Sequence, residues 1–426
     1  MTAVDISGAM PRPATTLRDR RRTALERLQV STERRQRNRR PLLLFGRDRV
    51  RFWNTTRGPA PVGYYVLVIV VVVFIVLGLV MVLSASAQTE AQRGRSPYYI
   101  FNRQLMWAGI GAVGLVFALK INLQWLRRLA IPTVVVGAAG MLAPFTSIGV
   151  TLNDARAWIA FGNFTIQPSE FLKLALVVYA ADLLMRRKDD LSDVRRSFKP
   201  LLLLAGFAAG ACLLQSDLGS AIVMTAIVLA VAFIGGVPLA PMVGTALMAT
   251  AATLMFVVSS PRRVDRFTAF LDIAGQRDHL SYQSYQALLA IADGGLTGSG
   301  VGAGNSKLGY LPLAHSDFIF AVIADELGFV GTVAVIGGFA LLMWFGIQAA
   351  LRSPDRFGML LAGGIAAWFG VQAVVNMGGV SGLMPVTGLT LPFFSAGGSS
   401  LFISMTAAGL LLNVARRGAA SASDPR

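Results

Sequence analysis

The stretch Val62-Gly63-Tyr64-Tyr65-Val66-Leu67-Val68-Ile69-Val70-Val71-Val72-Val73-Phe74-Ile75-Val76-Leu77-Gly78-Leu79-Val80-Met81-Val82-Leu83-Ser84 runs for 23 residues without a charge. A helix rises about 1.5 Å per residue, so this segment can cross the roughly 30 Å hydrocarbon core of a bilayer. It is too long for the core of a signal peptide and follows the polar residues 1–61, which makes it a retained membrane anchor. Apolar stretches of similar reach recur near 104–119, 129–149, 168–185, 200–216, 218–235, 239–259, 320–350, 358–378 and 398–415. The pattern predicts an all-α integral membrane protein of about ten transmembrane helices. Only Ser216 and Asp217 separate the fifth from the sixth, so that pair is expected to form a tight hairpin.

Composition agrees. The chain is 54% hydrophobic and 14% charged with a mean hydropathy of +0.60, whereas an average soluble protein is about 25% charged. Its formal charge of +17 raises the question of nucleic acid, but 15 of the 39 Lys and Arg lie in the first 60 residues, without an aromatic-rich basic surface beside them. A basic, disordered cytoplasmic tail over residues 1–61, attracted to anionic lipid, explains them better, and no nucleic-acid partner is expected. One cysteine, Cys212, rules out an intrachain disulfide framework, and His279 and His315 are too few imidazoles for a structural zinc site.

With the N-terminus inside, the cytoplasmic segments hold 29 Lys and Arg and the outer segments 9. The positive-inside rule therefore puts both termini, including residues 416–426, in the cytoplasm. Residues 260–316, between the seventh and eighth helices, become a large structured extracytoplasmic loop. Within it Tyr282, Tyr285, Leu288, Leu289 and Ala292 recur at helical spacing, predicting an amphipathic helix along the membrane surface. The glycine-rich run 294–304 then lets the backbone approach a ligand or a neighbouring helix closely. Its Gly300, Gly302 and Gly304 do not make a nucleotide fingerprint, since no strand precedes them. Its amides, with Lys307 nearby, could still cradle a pyrophosphate.

Carboxylates inside membrane helices are costly, so each calls for a partner or a purpose. Glu170 and Lys173 stand three apart on one helix face and are expected to pair, for structure or function. Asp217 is placed to cap the sixth helix. Asp317 stands at the mouth of the eighth and could be its N-cap or a functional group. Glu326, nine residues deeper and so about 13 Å along the axis, is too far to act on the same atom and is expected to brace neighbouring helices.

Four stretches then stand out together: Gln167-Pro168-Ser169-Glu170; Gly298-Ser299-Gly300-Val301-Gly302; Ala314-His315-Ser316-Asp317-Phe318-Ile319-Phe320-Ala321 with Glu326-Leu327-Gly328; and Pro385-Val386-Thr387-Gly388-Leu389-Thr390-Leu391-Pro392-Phe393 through Gly397-Gly398-Ser399-Ser400. In this order they resemble the SEDS (shape, elongation, division and sporulation) family over residues 62–415. The run Gly388 to Phe393 is most similar to the cell-division branch, where elongation-type members usually carry Val-Pro before Leu-Pro. Ala396 departs from the Tyr that the family usually has before Gly-Gly-Ser-Ser.

The resemblance implies a peptidoglycan glycosyltransferase acting on lipid II at the division septum of the inner membrane. It also implies a class B penicillin-binding protein as partner, together with other divisome proteins. Asp317 is expected to be the general base. Arg156, Trp158, Lys307, His315, Ser316, Ser399 and Ser400 are expected to bind substrate, with Arg262 and Arg263 as further outward cations. Trp158 could equally be an interfacial anchor. Gly378, Gly379, Gly382, Gly397 and Gly398 would let helices pack or part around lipid substrates. No protein metal site is expected, although a divalent cation shared between one carboxylate and a pyrophosphate would leave no signature. A lipid II flippase, an elongation-type polymerase and a division scaffold docking through the tail remain as alternatives.

Overall fold

The computed structural model describes Trp53 and residues 60–152, 155–162, 164–191, 193–276, 281–304 and 311–422. The predicted tail, apart from Trp53, Ala60 and Pro61, lies outside the described residues, as do Lys307 and His279.

Each expected apolar span falls on a helix. In chain order these are α1 (Val62–Gln92), α2 (Tyr99–Lys120), α3 (Leu123–Gly140), α4 (Pro168–Arg186), the short α5 (Val194–Ser197), α6 (Lys199–Leu214), α7 (Leu218–Ile234), α8 (Leu239–Val258), α9 (Pro261–Leu271), α10 (Tyr282–Asp293), α11 (Ile319–Leu351), α12 (Arg356–Val380) and α13 (Gly398–Ala422). Among the described residues, seven are long and apolar enough to cross a membrane: α1, α2, α3, α8, α11, α12 and α13. The apolar α6 and α7 are shorter, and α4 carries Glu170, Lys173, Asp182 and Arg186.

Helices α4, α7 and α13 pack around α12, and α13 also lies along α2. Small residues permit this: a Cβ on Gly364 would press on Val177 and Val231, and one on Gly398 would overlap the Trp107 ring. Small residues let backbones approach closely, which favours van der Waals packing between helices in lipid, where apolar burial gains little. Helix α8, by contrast, exposes Val243, Leu247, Met255 and Val258.

Several boundaries differ from expectation. The third span, expected at 129–149, starts at Leu123, where the Asn122 side chain accepts from the Gln124 amide, and stops at Gly140. A 3-10 turn at Ala143–Phe145 follows, and then three antiparallel strands: β1 (Gly149–Leu152), β2 (Ala155–Phe161) and β3 (Phe164–Ile166). This small sheet is an addition to the expected all-α architecture. Its order is β1-β2-β3, with Val150 opposite Trp158 and Ile159 opposite Ile166.

The loop 260–316 holds α9 as well as the expected α10, and α10 is rotated from its expected face. Leu289 and Ala292 are exposed, whereas Ala287, Ala290 and Gly294 are buried against α11. Backbone proximity outweighs side-chain bulk here, since a Cβ on Gly294 would overlap the Ala324 carbonyl.

Candidate active site

Helix α11 is interrupted. Gly328 has φ 64° and ψ −161°, so the nine residues from Ile319 to Leu327 form one segment and the remainder another. A break would orphan carbonyls before it and amides after it. The glycine-rich run supplies both sets of partners. Ser299 N donates to Asp325 O (2.9 Å) and Gly300 N to Glu326 O (3.0 Å), while Phe329 N donates to Gly295 O (2.9 Å) and Val330 N to Leu296 O (3.2 Å). The loop thus replaces the missing helical hydrogen bonds, as buried backbone requires. Gly298, at φ 79°, is packed so closely that a Cβ would overlap the Glu326 carbonyl. The amides expected to be available for a pyrophosphate are therefore committed at Gly298, Ser299 and Gly300, and the close approach is to a helix.

The turn before α11 carries Asp317. It does not cap the helix: the N-cap position is Phe318, and no side-chain cap bond forms there. Three hydrogen bonds to its carbonyls hold the turn against α12 and against the loop of residues 381–397. His315 O accepts from Ala396 N (2.9 Å), Ser316 O from Ser395 Oγ (2.7 Å), and Asp317 O from Asn376 Nδ2 (3.0 Å). The same Asn376 nitrogen donates to Leu389 O (2.6 Å). Gln104 of α2 reaches the loop at Ser395 O (3.0 Å), and Gln372 of α12 reaches it at Thr390 O (2.8 Å). Leu313 (φ 57°), Phe393 (φ 71°) and Ser216 (φ 62°) are non-glycine residues in the left-handed region. Such strain persists only where the surroundings over-determine it and clusters at functional sites.

Asp317 is half-buried. Loss of hydration pushes its carboxyl up to about 7; a hydrogen bond from Ser316 opposes that shift, and the negative charge of Asp217 adds to it. His315 is held below its usual value, chiefly by burial, with Glu90 acting to raise it and Arg93 to lower it.

Asp217 accepts from Ser220 N through Oδ1 (2.9 Å), capping α7, and from Gln167 Nε2 through Oδ2 (2.9 Å). Arg156 N donates to Gln215 O (3.2 Å), tying β2 to the turn that carries Asp217, and the exposed guanidinium reaches Thr146 O (3.1 Å). Trp158 is half-buried on the same strand. Ser399 and Ser400 are buried, and their hydroxyls are occupied: Ser399 Oγ accepts from Gln167 N (3.2 Å), and Ser400 Oγ lies 2.9 Å from Thr390 Oγ1. Their contacts position the loop from within the protein.

Lys173 Nζ lies 2.8 Å from Glu170 Oε1 and 3.1 Å from Gln372 Oε1, fully buried beside the Trp368 ring. Glu326 accepts from Ser84 Oγ, joining α11 to α1. Arg263 is stacked 3.6 Å over Phe256 and bonded to Phe256 O and Ser259 Oγ. The Arg262 side chain lies outside the described residues. Among the described residues, no three His, Cys, Asp or Glu side chains gather to hold a metal.

Sequence reading passed over Glu90, buried near the end of α1 and paired with Arg93 (3.0 Å) and Arg95 (3.6 Å). Spacing of i and i+3 was the available signal. It also passed over Gln104, Gln372 and Asn376, which read as isolated amides in apolar helices.

A bundle of helices long and apolar enough to cross a membrane, with the half-buried Asp317 carboxyl held on a turn before one of them, defines a multi-pass membrane protein. The chain belongs to the FtsW/RodA/SpoVE family of cell cycle proteins, whose model matches residues 64–419. This is the family that the four motifs resemble. The chain is 36% identical over 320 residues to stage V sporulation protein E of Bacillus subtilis (strain 168), covering 75% of this chain and 87% of that one. It is 38% identical over 317 residues to the "Probable peptidoglycan glycosyltransferase FtsW" of Trichlorobacter lovleyi, covering 74% and 83%. Among solved structures it is similar to a chain described under the structural coordination of polymerization and crosslinking by a peptidoglycan synthase complex, with a TM-score of 0.68, 32% identity and coverage of 83% and 98%. It is also similar to the rod shape determining protein RodA of Thermus thermophilus, with a TM-score of 0.61, 30% identity and coverage of 82% and 95%.

Proposed function

We propose that this chain is a peptidoglycan glycosyltransferase that polymerises lipid II during septal wall synthesis, with Asp317 as general base. The observation that carries the reading is the Asp317 carboxyl on a turn whose carbonyls at His315, Ser316 and Asp317 are each hydrogen-bonded, with loss of hydration raising the group to about 7. A base works best with a pKa near the working pH. The C4 hydroxyl of the acceptor N-acetylglucosamine attacks the anomeric carbon of the donor and its proton passes to Asp317. The bond from that carbon to the pyrophosphate breaks, and polyprenyl pyrophosphate leaves. Pyrophosphate needs charge neutralisation more than protonation, so one carboxylate suffices. Arg156, on the strand tied to the Asp217 turn, is placed for that role, with Trp158, His315 and Ser316 as further substrate contacts. Lys307 is retained as a candidate from its sequence position.

On this reading the 62–415 domain lies in the inner membrane with residues 1–61 and 416–426 in the cytoplasm, and the Asp317 end faces outward. A class B penicillin-binding protein is the partner, in line with the synthase complex among its structural relatives. The test is reconstitution of the purified pair with lipid II in vesicles. Glycan chains appearing from lipid II supplied at the outer face support the reading. Movement of lipid II between leaflets without chain growth would replace it with the flippase reading.

A further inference from the structure

Asn376 is 5% exposed, and both carbonyls that its amide nitrogen serves belong to the walls of the site: Asp317 O at 3.0 Å and Leu389 O at 2.6 Å. Two acceptors on one nitrogen fix which way round the amide lies, because an oxygen there would face two oxygens. The other end, Oδ1, is then left buried without a hydrogen-bond partner. A buried orphan acceptor is destabilising, and native proteins seldom leave one without a reason. Asn376 and Asp317 line the same crevice, together with Val375, Gly379, Thr387 and Gly388. Its free volume of about 10 Å³ holds one water-sized group. Gly388, at φ 71°, bares the side opposite the carboxylate, since a Cβ on it would stand 3.7 Å from Asp317 Oδ2.

We infer that Asn376 Oδ1 binds the acceptor saccharide, accepting a hydrogen bond from a hydroxyl adjacent to the one that Asp317 deprotonates. Asn376 Oδ1 can only accept, so its ligand must be a donor. The attacked C4 hydroxyl has a single proton, which goes to Asp317, and the hydrogen bond to Asn376 therefore comes from a neighbour, the C3 or the C6 hydroxyl. Through its nitrogen the same amide sets the position of the Asp317 turn. One side chain thereby couples the alignment of the sugar to that of the base. The inference rests on the glycosyltransferase reading and deepens it.

The test is a substrate–enzyme cycle with the purified complex. Wild type and Asn376→Ala are each supplied with lipid-linked acceptors carrying the natural sugar, a 3-deoxy sugar or a 6-deoxy sugar. For wild type, one deoxy acceptor is expected to react roughly 10- to 100-fold more slowly than the natural one, the usual penalty for leaving a buried polar group unpaired. For Asn376→Ala that selectivity is expected to fall to within about twofold, because the group that reads the hydroxyl is gone. Selectivity retained by Asn376→Ala, or absent from wild type, overturns the inference while chain growth by wild type leaves the glycosyltransferase reading standing. No chain growth by wild type overturns that reading itself. Should Asn376→Ala be poorly folded, Asn376→Gln keeps an amide that can still donate and moves its oxygen by one methylene. Reduced sugar selectivity is then expected, and selectivity unchanged from wild type counts against the inference.

Discussion

Gly388 presents its α-carbon to Asp317 so closely that a methyl group there would stand 3.7 Å from Oδ2. That distance is ordinary van der Waals contact, so the obstacle to a side chain is the φ of 71°. Gly388→Ala is expected to cost about 1–2 kcal/mol, the penalty of a left-handed L-residue. The methyl also removes water from one face of the carboxylate, which should move the alkaline rise in polymerisation to higher pH. Thermal unfolding and a pH–rate profile of the variant check both effects.

The Asp317 carboxyl titrates near 7 in the fold against 3.8 for the free side chain. Between those values the native state binds more protons than the unfolded chain. The stabilisation it gives is complete below about pH 4 and is lost as the pH rises through 7. Catalysis runs the other way, because only the ionised base accepts a proton. Polymerisation is expected to fall about tenfold per unit below pH 7 and to level off above it. Asp317→Asn should be at least as stable as wild type at pH 8, measured by thermal unfolding in detergent.

Lys173, Glu170 and Gln372 form a buried chain that continues to Thr390 O in the loop facing Asp317. Lys173→Met would leave a buried carboxylate uncompensated, with an expected loss of about 3–5 kcal/mol. Adding Glu170→Gln should restore most of that stability. Equal losses in the single and double variants would show that the charges are not coupled.

The loop that repairs α11 makes a separate prediction. Gly298→Ala must displace the Glu326 carbonyl, whereas Gly300→Ala, at φ 98°, meets only Ala303 at 3.9 Å. Gly298→Ala should therefore be the more damaging, opening the amides of Ser299, Gly300, Phe329 and Val330 to hydrogen exchange. Gly300→Ala should cost only the backbone term of about 1–2 kcal/mol.

The membrane spans were legible because an apolar run of sufficient length has few other uses. The acidic residues were legible for the same reason, since Asp317, Glu326, Glu170 and Asp217 each interrupt apolar sequence. The sheet was not read, although Phe161-Gly162-Asn163-Phe164 carries a hairpin signal, because its strands are only three to seven residues long. The break at Gly328 was invisible: Leu327-Gly328-Phe329 fits a continuous helix, and only the distant run 294–300 makes another backbone state satisfiable. Asn376 was missed on similar grounds, since its significance lies in two carbonyls contributed by separate loops.

Chain growth from lipid II by the purified Asp317→Asn complex tests the role of Asp317 most directly. If this carboxylate is the base, the rate falls by at least about 100-fold while thermal stability and partner binding stay at wild-type levels. Near-normal chain growth by that complex would contradict the assignment.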